Sequence, residues 1–144
     1  MSGPSVAAPA GTRPIAGIVN TRSPHGVSAT VSILTDEIAA AGATMFAVVD
    51  HSGEAARAGL SLRDTELLIF GNPRGGTAAM VAAPLAAIDL PLKLLVWEDD
   101  EGVWMSHVDP QWLAERYGLA ADVAAPLAAA GALAGRVAAH AGEK

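Results

Sequence analysis

Asp50-His51 is the most chemically suggestive pair in the chain. A carboxylate beside an imidazole can orient the ring and bring its pKa toward neutrality, where it serves as a general acid or base. Adjacent side chains at a strand end point to opposite sides, so the plainer reading is that Asp50 or Ser52 caps a following helix and His51 packs at the strand edge. Lys93 is an isolated cation inside the apolar run DLPLKLLVW. On a half-buried sheet it must snorkel or find a carboxylate, and Glu98, Asp89 or a partner chain can supply one. A structural salt bridge is expected ahead of a ligand-anchoring role. Asn72 stands in GNPRGGT, residues 71–77. Its glycines and Arg74 suggest an anion cradle, but the Gly-Lys-Ser/Thr ending is absent and Pro73 removes a donor. A strand-to-helix turn with Asn72 bonding the local backbone is the better reading.

Two imidazoles, His51 and His107, with Asp50, Asp99 or Glu98 have the donor types of an open transition-metal site. No local ligand spacing supports one, so neither metal nor cofactor is expected. His25 and His140 are expected to be solvated. Trp97 and Trp104 offer broad amphipathic surfaces suited to a pocket wall or an interface, with core or dimer packing favoured. The acidic run from Glu98 to Glu101 lacks the spacing of a calcium loop and reads as a solvated hairpin tip.

The elements that hold these residues belong to one domain, since 144 residues form a single core of ordinary size. Hydrophobic residues make up 51%, but 32 of them are alanines, so the larger apolar side chains amount to roughly 28% of the chain. Those few must supply most of the hydrophobic stabilisation. The net charge of -6 repels phosphate backbones, so nucleic acid is not an expected partner. The lack of cysteine excludes disulfides and thiolate chemistry, and it fits a cytoplasmic location. No run approaches the roughly 18 consecutive apolar residues of a membrane span, and residues 1–14 lack the apolar region of a signal peptide. The expected organisation is a flexible tail over 1–14 and a single domain over 15–142, with no membrane partner.

Ile15 to Thr21 reads as a first strand. Val27, Val31, Leu34, Ile38 and Ala41 then form one helical stripe, capped by Ser23 or Ser28 and stopped by Gly42. Ala43 to Val49 reads as a second strand, and Gly53 to Ala58 as a short helix closed by Gly59. Thr65 to Phe70 is a third strand, expected to be central and covered on both faces. GNPRGGT leads into an Ala/Met helix reaching about Ala83. Leu92 to Trp97 and Val103 to His107 form a hairpin around a four-residue loop, which sets Trp97 opposite Trp104 and Leu94 opposite His107. Asp109-Pro110 starts a helix ended by Gly118. A last helix aligns Val123, Leu127, Ala130, Leu133 and Val137, with Pro126 in its first turn. Crossings this short disfavour regular βαβ units. They fit an α+β fold, with a mainly antiparallel sheet of about five strands and helices on one face. The other face then stays open, and a second copy of the chain is its simplest cover.

Five segments together carry a family resemblance: Val49-Asp50-His51; Ala55 with Gly59-Leu60; Phe70-Gly71-Asn72-Pro73 with Gly76-Thr77; Asp89-Leu90-Pro91-Leu92-Lys93; and Val96-Trp97-Glu98-Asp99. Over roughly residues 16–138 the chain resembles the family called domain of unknown function 302. The resemblance implies a TATA-binding-protein-like α+β fold with a β-α-β4-α core that associates in pairs, and it implies no activity. At His107-Val108 the sequence departs from the family, where a Tyr-Asn pair is commoner. The alanine enrichment of the last helix reads as a coding bias.

The favoured functional reading is a homodimeric, non-enzymatic small-molecule-binding or regulatory domain. Its pocket would lie by the loops after Val49 and Phe70, with polar contacts from Asp50, His51, Asn72, Lys93, Glu98 and His107 and walls from Trp97 and Trp104. The alternatives are a small enzyme using His51 as general acid/base with Lys93 and Asn72 stabilising an anion, and a structural assembly module.

Overall fold

Runs rich in β-branched and large apolar residues become five strands: β1 (Ile18–Ser23), β2 (Thr44–Asp50), β3 (Thr65–Gly71), β4 (Leu92–Asp99) and β5 (Gly102–Val108). The computed structural model describes residues 14–140. All but Pro14 of the tail expected over 1–14, and the last two residues of the expected domain, lie outside the described residues. The strands form one antiparallel sheet in the order β1-β5-β4-β3-β2. Helix α1 (Val27–Ala40) carries the chain from β1 at one edge to β2 at the other.

Side-chain alternation divides the strands between two faces. One presents Leu68, Phe70, Leu94, Val96, Val103 and Met105 to the helices. Against them pack Val27, Leu34 and Ile38 of α1, with Ala130, Leu133, Ala134 and Val137 of the last helix. The expected stripe of α1 is therefore its buried face, with Thr30 added and Ala41 outside it. Neither Ser23 nor Ser28 caps it; Gly26 does, without a side-chain bond. The Ser23 hydroxyl is engaged elsewhere, 2.6 Å from Thr30 Oγ1 and accepting from the His25 N–H at 3.2 Å.

The second helix, α2 (His51–Arg57), follows β2 directly, and α3 (Pro73–Ala82) follows β3. β3 lies second from the edge rather than centrally. Leu68 and Phe70 are buried, whereas Leu67 and Ile69 on the open face are half-buried. In the hairpin, Trp97 stands opposite Trp104 as expected, but the strands pair as far as Asp99 and Gly102, so only two residues form the turn. The Asp99 carboxylate explains the tight closure, accepting from the Glu101 N–H at 2.9 Å and from Trp104 Nε1 at 3.1 Å. Asp109 caps α4 (Pro110–Tyr117), which Gly118 ends at φ 65, a left-handed conformation that glycine adopts without strain.

The expected last helix is divided into α5 (Ala121–Ala124), a 3-10 turn (Ala125–Ala128) and α6 (Ala129–Ala139). Pro126, which has no N–H to continue a helical ladder, lies in the 3-10 turn. The stripe nevertheless persists, with Leu127, Ala130, Leu133 and Val137 buried. By length and composition Ala121–Ala139 would suffice to cross a membrane. Its apolar stripe instead belongs to the core of the domain.

α3 rests on this turn at Gly75, where a Cβ would stand 2.6 Å from the Pro126 Cβ. At Gly76 the nearest atom would be the flexible Met80 Cε at 3.8 Å. Gly75→Ala should therefore destabilise, because overpacking of about 1–3 kcal/mol outweighs the helix-propensity gain of about 1 kcal/mol. Gly76→Ala should stabilise by about 0.5–1 kcal/mol. Paired urea unfolding curves check both signs.

Candidate functional site

Where β2 meets α2, Asp50 acts as the cap. Its Oδ1 accepts from the Gly53 N–H at 2.9 Å and from the Ser52 hydroxyl at 3.0 Å. The Gly53 hydrogen bond, then that of Ser52, holds the carboxyl below its ordinary pKa. Ser52 Oγ also accepts from the Thr65 N–H at 3.1 Å, tying α2 to β3. His51 is exposed at the first position of α2.

Strand register separates His51 from its expected companions. Asp50 pairs with Glu66 at the start of β3, whereas Asn72 follows the end of that strand. At about 3.3 Å per residue the two ends are about 20 Å apart. Lys93 pairs with Ile69 and belongs to the open face. Its Nζ donates to the Pro91 carbonyl at 3.1 Å, and among the described residues it forms no ion pair. The expected counter-charges are engaged elsewhere. Glu98, on the opposite face of β4, lies 3.8 Å from Arg63, and Asp89 accepts from Tyr117 with Arg116 at 3.4 Å.

His107 faces the helices and is buried. A Cβ at Gly131 of α6 would lie 3.2 Å from its Nε2, and its Nδ1 has no hydrogen-bond partner. Burial lowers its pKa below the ordinary 6.5, opposed by the charge of Asp109. β5, which holds His107, lies three strands across the sheet from β2, which leads into His51. His25, expected to be solvated, is half-buried with Nε2 unpartnered, and His140 lies 3.8 Å from Glu37.

The open face carries a polar and aromatic ladder. Trp97 Nε1 donates to Ser106 Oγ at 2.8 Å, and Ser106 Oγ donates to Asn20 Oδ1 at 2.6 Å. The Arg22 guanidinium stacks 5.1 Å from the Trp104 ring centroid. These bonds leave the ladder satisfied within the chain.

Of the expected site residues, Asn72 alone borders a cleft that has a volume of about 700 Å³ and lies between α3, the adjoining ends of β3 and β4, and α6. Phe46, Phe70, Met80, Leu92 and Leu133 supply its apolar wall. Ala41, Ala43, Ala129 and Ala132 also line it, so the alanines of the last helix, read from sequence as a coding bias, leave the space a larger side chain would fill. Among the described residues the charged ones in the lining are Arg74 and Arg136. Arg136 Nε lies 2.9 Å from Glu37 Oε1; Arg74 forms no side-chain hydrogen bond or ion pair among the described residues.

The turn GNPRGGT is not an open anion cradle. The Arg74 N–H donates to Asn72 Oδ1 at 3.0 Å, and those of Gly75 and Gly76 donate to the Asn72 carbonyl at 3.1 Å. Sequence reasoning reached only the corner of the cleft after Phe70, at Asn72, because the rest of its lining is scattered from Ala41 to Arg136. The one available signal was the pair of arginines, each standing in an otherwise uncharged helix.

A five-stranded antiparallel sheet with helices on one side defines an α+β domain, and a solved structure shares this fold. The uncharacterized conserved protein DUF302 from Bacillus stearothermophilus aligns with a TM-score of 0.70 and 18% identity, covering 83% of this chain and 99% of its own. The family described as domain of unknown function DUF302 matches residues 19–134, and the chain belongs to it. Among curated relatives, fluoride-specific ion channel FluC 1 of Brucella suis biovar 1 is 43% identical over 111 residues, which is 75% of this chain and 44% of the relative. Fluoride-specific ion channel FluC 2 of Brucella melitensis biotype 1 matches equally, over 41% of its length. The chain thus spans about two fifths of the length of these relatives.

The burial of His107 gives a pH dependence of definite sign. Its folded pKa is depressed, so on acidification the unfolded chain takes up the proton first, and stability falls once the pH drops through 6.5. The loss levels off below the folded value. Urea unfolding of wild type and His107→Gln at pH 7.5 and at pH 5.5 should show a smaller acid loss in the variant, the pH values being chosen about one unit either side of the ordinary imidazole pKa.

Proposed function

We propose that the protein is a non-enzymatic domain that binds a small, largely apolar molecule in the cleft beside Asn72 and works as a homodimer. The observation that carries this reading is the cleft itself. At about 700 Å³ it lies within the size range of ligand pockets, and its wall is aromatic and aliphatic with few polar groups. The enzyme alternative has less support, because general acid–base chemistry needs hydrogen-bond reach and His51 stands at the far end of β3 from Asn72. The test is binding of the neutral fluorophore N-phenyl-1-naphthylamine, whose emission rises on entering an apolar site. Wild type should bind it saturably. Ala132→Leu should weaken binding while keeping the thermal midpoint near that of wild type, since leucine narrows the cleft from an exposed lining position and is a good helix former. Unchanged binding by this folded variant overturns the reading.

The dimer reading rests on the open sheet face. Leu67, Ile69, Leu95 and Trp97 are half-buried there without a covering layer, in a chain whose helices occupy the other face. Lys93 lies at one end of β4 and the acidic turn Asp99 to Glu101 at the other. A two-fold axis crossing β4 within the interface brings each lysine toward the acidic turn of the second copy, which favours self-association over a foreign partner. Light scattering should give a dimer at tens of micromolar chain, a concentration at which an interface of about 1,600 Å² is ordinarily formed, and Leu95→Glu should give a folded monomer. A monomeric wild type removes this part.

A second reading follows from the curated relatives, which are named as fluoride-specific ion channels and share a 111-residue segment with this chain. In it, the domain modulates a membrane anion channel to which it is attached or bound. Deleting the shared segment from the Brucella suis relative should change fluoride efflux from reconstituted vesicles; unchanged efflux removes the reading.

A further inference from the structure

The charge around the cleft narrows the ligand class. The chain is acidic, with a net charge of -6. Yet among the described residues the charged ones lining the cleft are two arginines, and no described carboxylate lines it. Arg136 is balanced by Glu37, whose Oε1 lies 2.9 Å from the arginine Nε. Arg74 is exposed and has no side-chain ion pair or hydrogen bond among the described residues. Among the described residues the lining therefore carries one uncompensated positive charge beside an apolar wall.

Resting on the cleft reading above, we infer that the ligand is a singly charged amphiphilic acid, a medium-chain carboxylate, with its tail against Phe46, Phe70, Met80 and Leu133 and its carboxylate on Arg74. A guanidinium offers a carboxylate two parallel hydrogen bonds, and the pairing is charge-assisted. Asn72 and Thr77, also in the lining, are neutral polar groups that tolerate the acid end without competing for its charge. A cationic amphiphile meets Arg74 as a like charge. A neutral one fills the apolar wall and leaves Arg74 in water. A dianionic head group exceeds the single uncompensated charge, since Arg136 is already shared with Glu37.

The experiment is displacement of N-phenyl-1-naphthylamine from the full chain by octanoate, 1-octanol, octylamine and octyl phosphate at low ionic strength. Octanoate should compete about tenfold more strongly than 1-octanol, equivalent to one charge-assisted contact. Octylamine should be the weakest, and octyl phosphate no stronger than octanoate. Arg74→Gln should bring octanoate to the level of 1-octanol while leaving 1-octanol unchanged. Equal competition by octanoate and 1-octanol in wild type overturns the acid assignment and leaves the apolar cleft standing. Stronger competition by octyl phosphate overturns the single-charge assignment. If the fluorophore does not bind and none of the four ligands shifts the thermal midpoint, the cleft reading itself fails.

Discussion

One apolar layer, between the sheet and the pair α1 and α6, holds the architecture together. Leu68, Phe70, Leu94, Val96 and Met105 contribute from the strands, and Leu34, Ile38, Leu133 and Val137 from the helices. Because β1 and β2 lie at opposite edges, α1 must cross the whole sheet, and its position determines where any other helix can pack. α6 fits beside it because Ala130 and Ala134, both buried, bring its backbone close to the layer. Each alanine removes little apolar area from water, so the stability of this contact depends on the larger residues around it. Toward the end of the sheet formed by Gly71 and Leu92, the lining of α6 changes to Ala129 and Ala132, and the close packing opens into the cleft. The same small residue thus permits contact at one place and leaves volume at another.

The helix starts follow from local chemistry. Asp50, Asn72 and Asp109 each accept a first-turn N–H through a side-chain oxygen, and Pro73 and Pro110 occupy positions whose missing donor costs nothing. These features were legible in the sequence, since each depends on residues within four positions of one another. The stripe of α1 and the Trp97–Trp104 register were legible for a similar reason, as regular spacing translates directly into a shared face. The cap of α1 was not. Ser23 and Ser28 both qualify by type, but the Ser23 hydroxyl is bonded to that of Thr30, one turn further into the helix, rather than to a first-turn N–H. The division at Pro126 was likewise hidden, because a proline is tolerated in a first turn and nothing local shows that the Gly75 backbone packs against its ring.

The candidate site was less legible than the fold. His51, Lys93 and His107 stand out in sequence as polar residues among apolar ones, which marks them as constrained without saying by what. In the structure the constraints differ. His51 begins a helix, Lys93 bonds a nearby carbonyl on the open face, and His107 packs against Gly131. Arg74 and Arg136 drew less notice because arginine on a helix is ordinary surface chemistry. Their significance comes from the apolar wall they share, whose members are up to 95 positions apart, from Ala41 to Arg136.

The two faces of the sheet impose different demands on polar groups. On the helix side His107 is desolvated with one nitrogen unpartnered, and the cost falls on folding at acid pH. On the open side the polar atoms are largely paired in plane: Trp97 with Ser106, Ser106 with Asn20, and Trp104 with Asp99. Asp99 Oδ2 is left without a partner there, but with most of its hydrogen bonds made within the chain the face asks few polar partners of a surface stacking on it. The cleft has the converse character, with an apolar interior and, at its border, an arginine that forms no ion pair among the described residues. Stacking another sheet on the open face would leave that arginine untouched, since the cleft is built on the helix side of the sheet. Association of copies and occupation of the cleft are therefore physically compatible in one assembly, and neither has to give way for the other to occur.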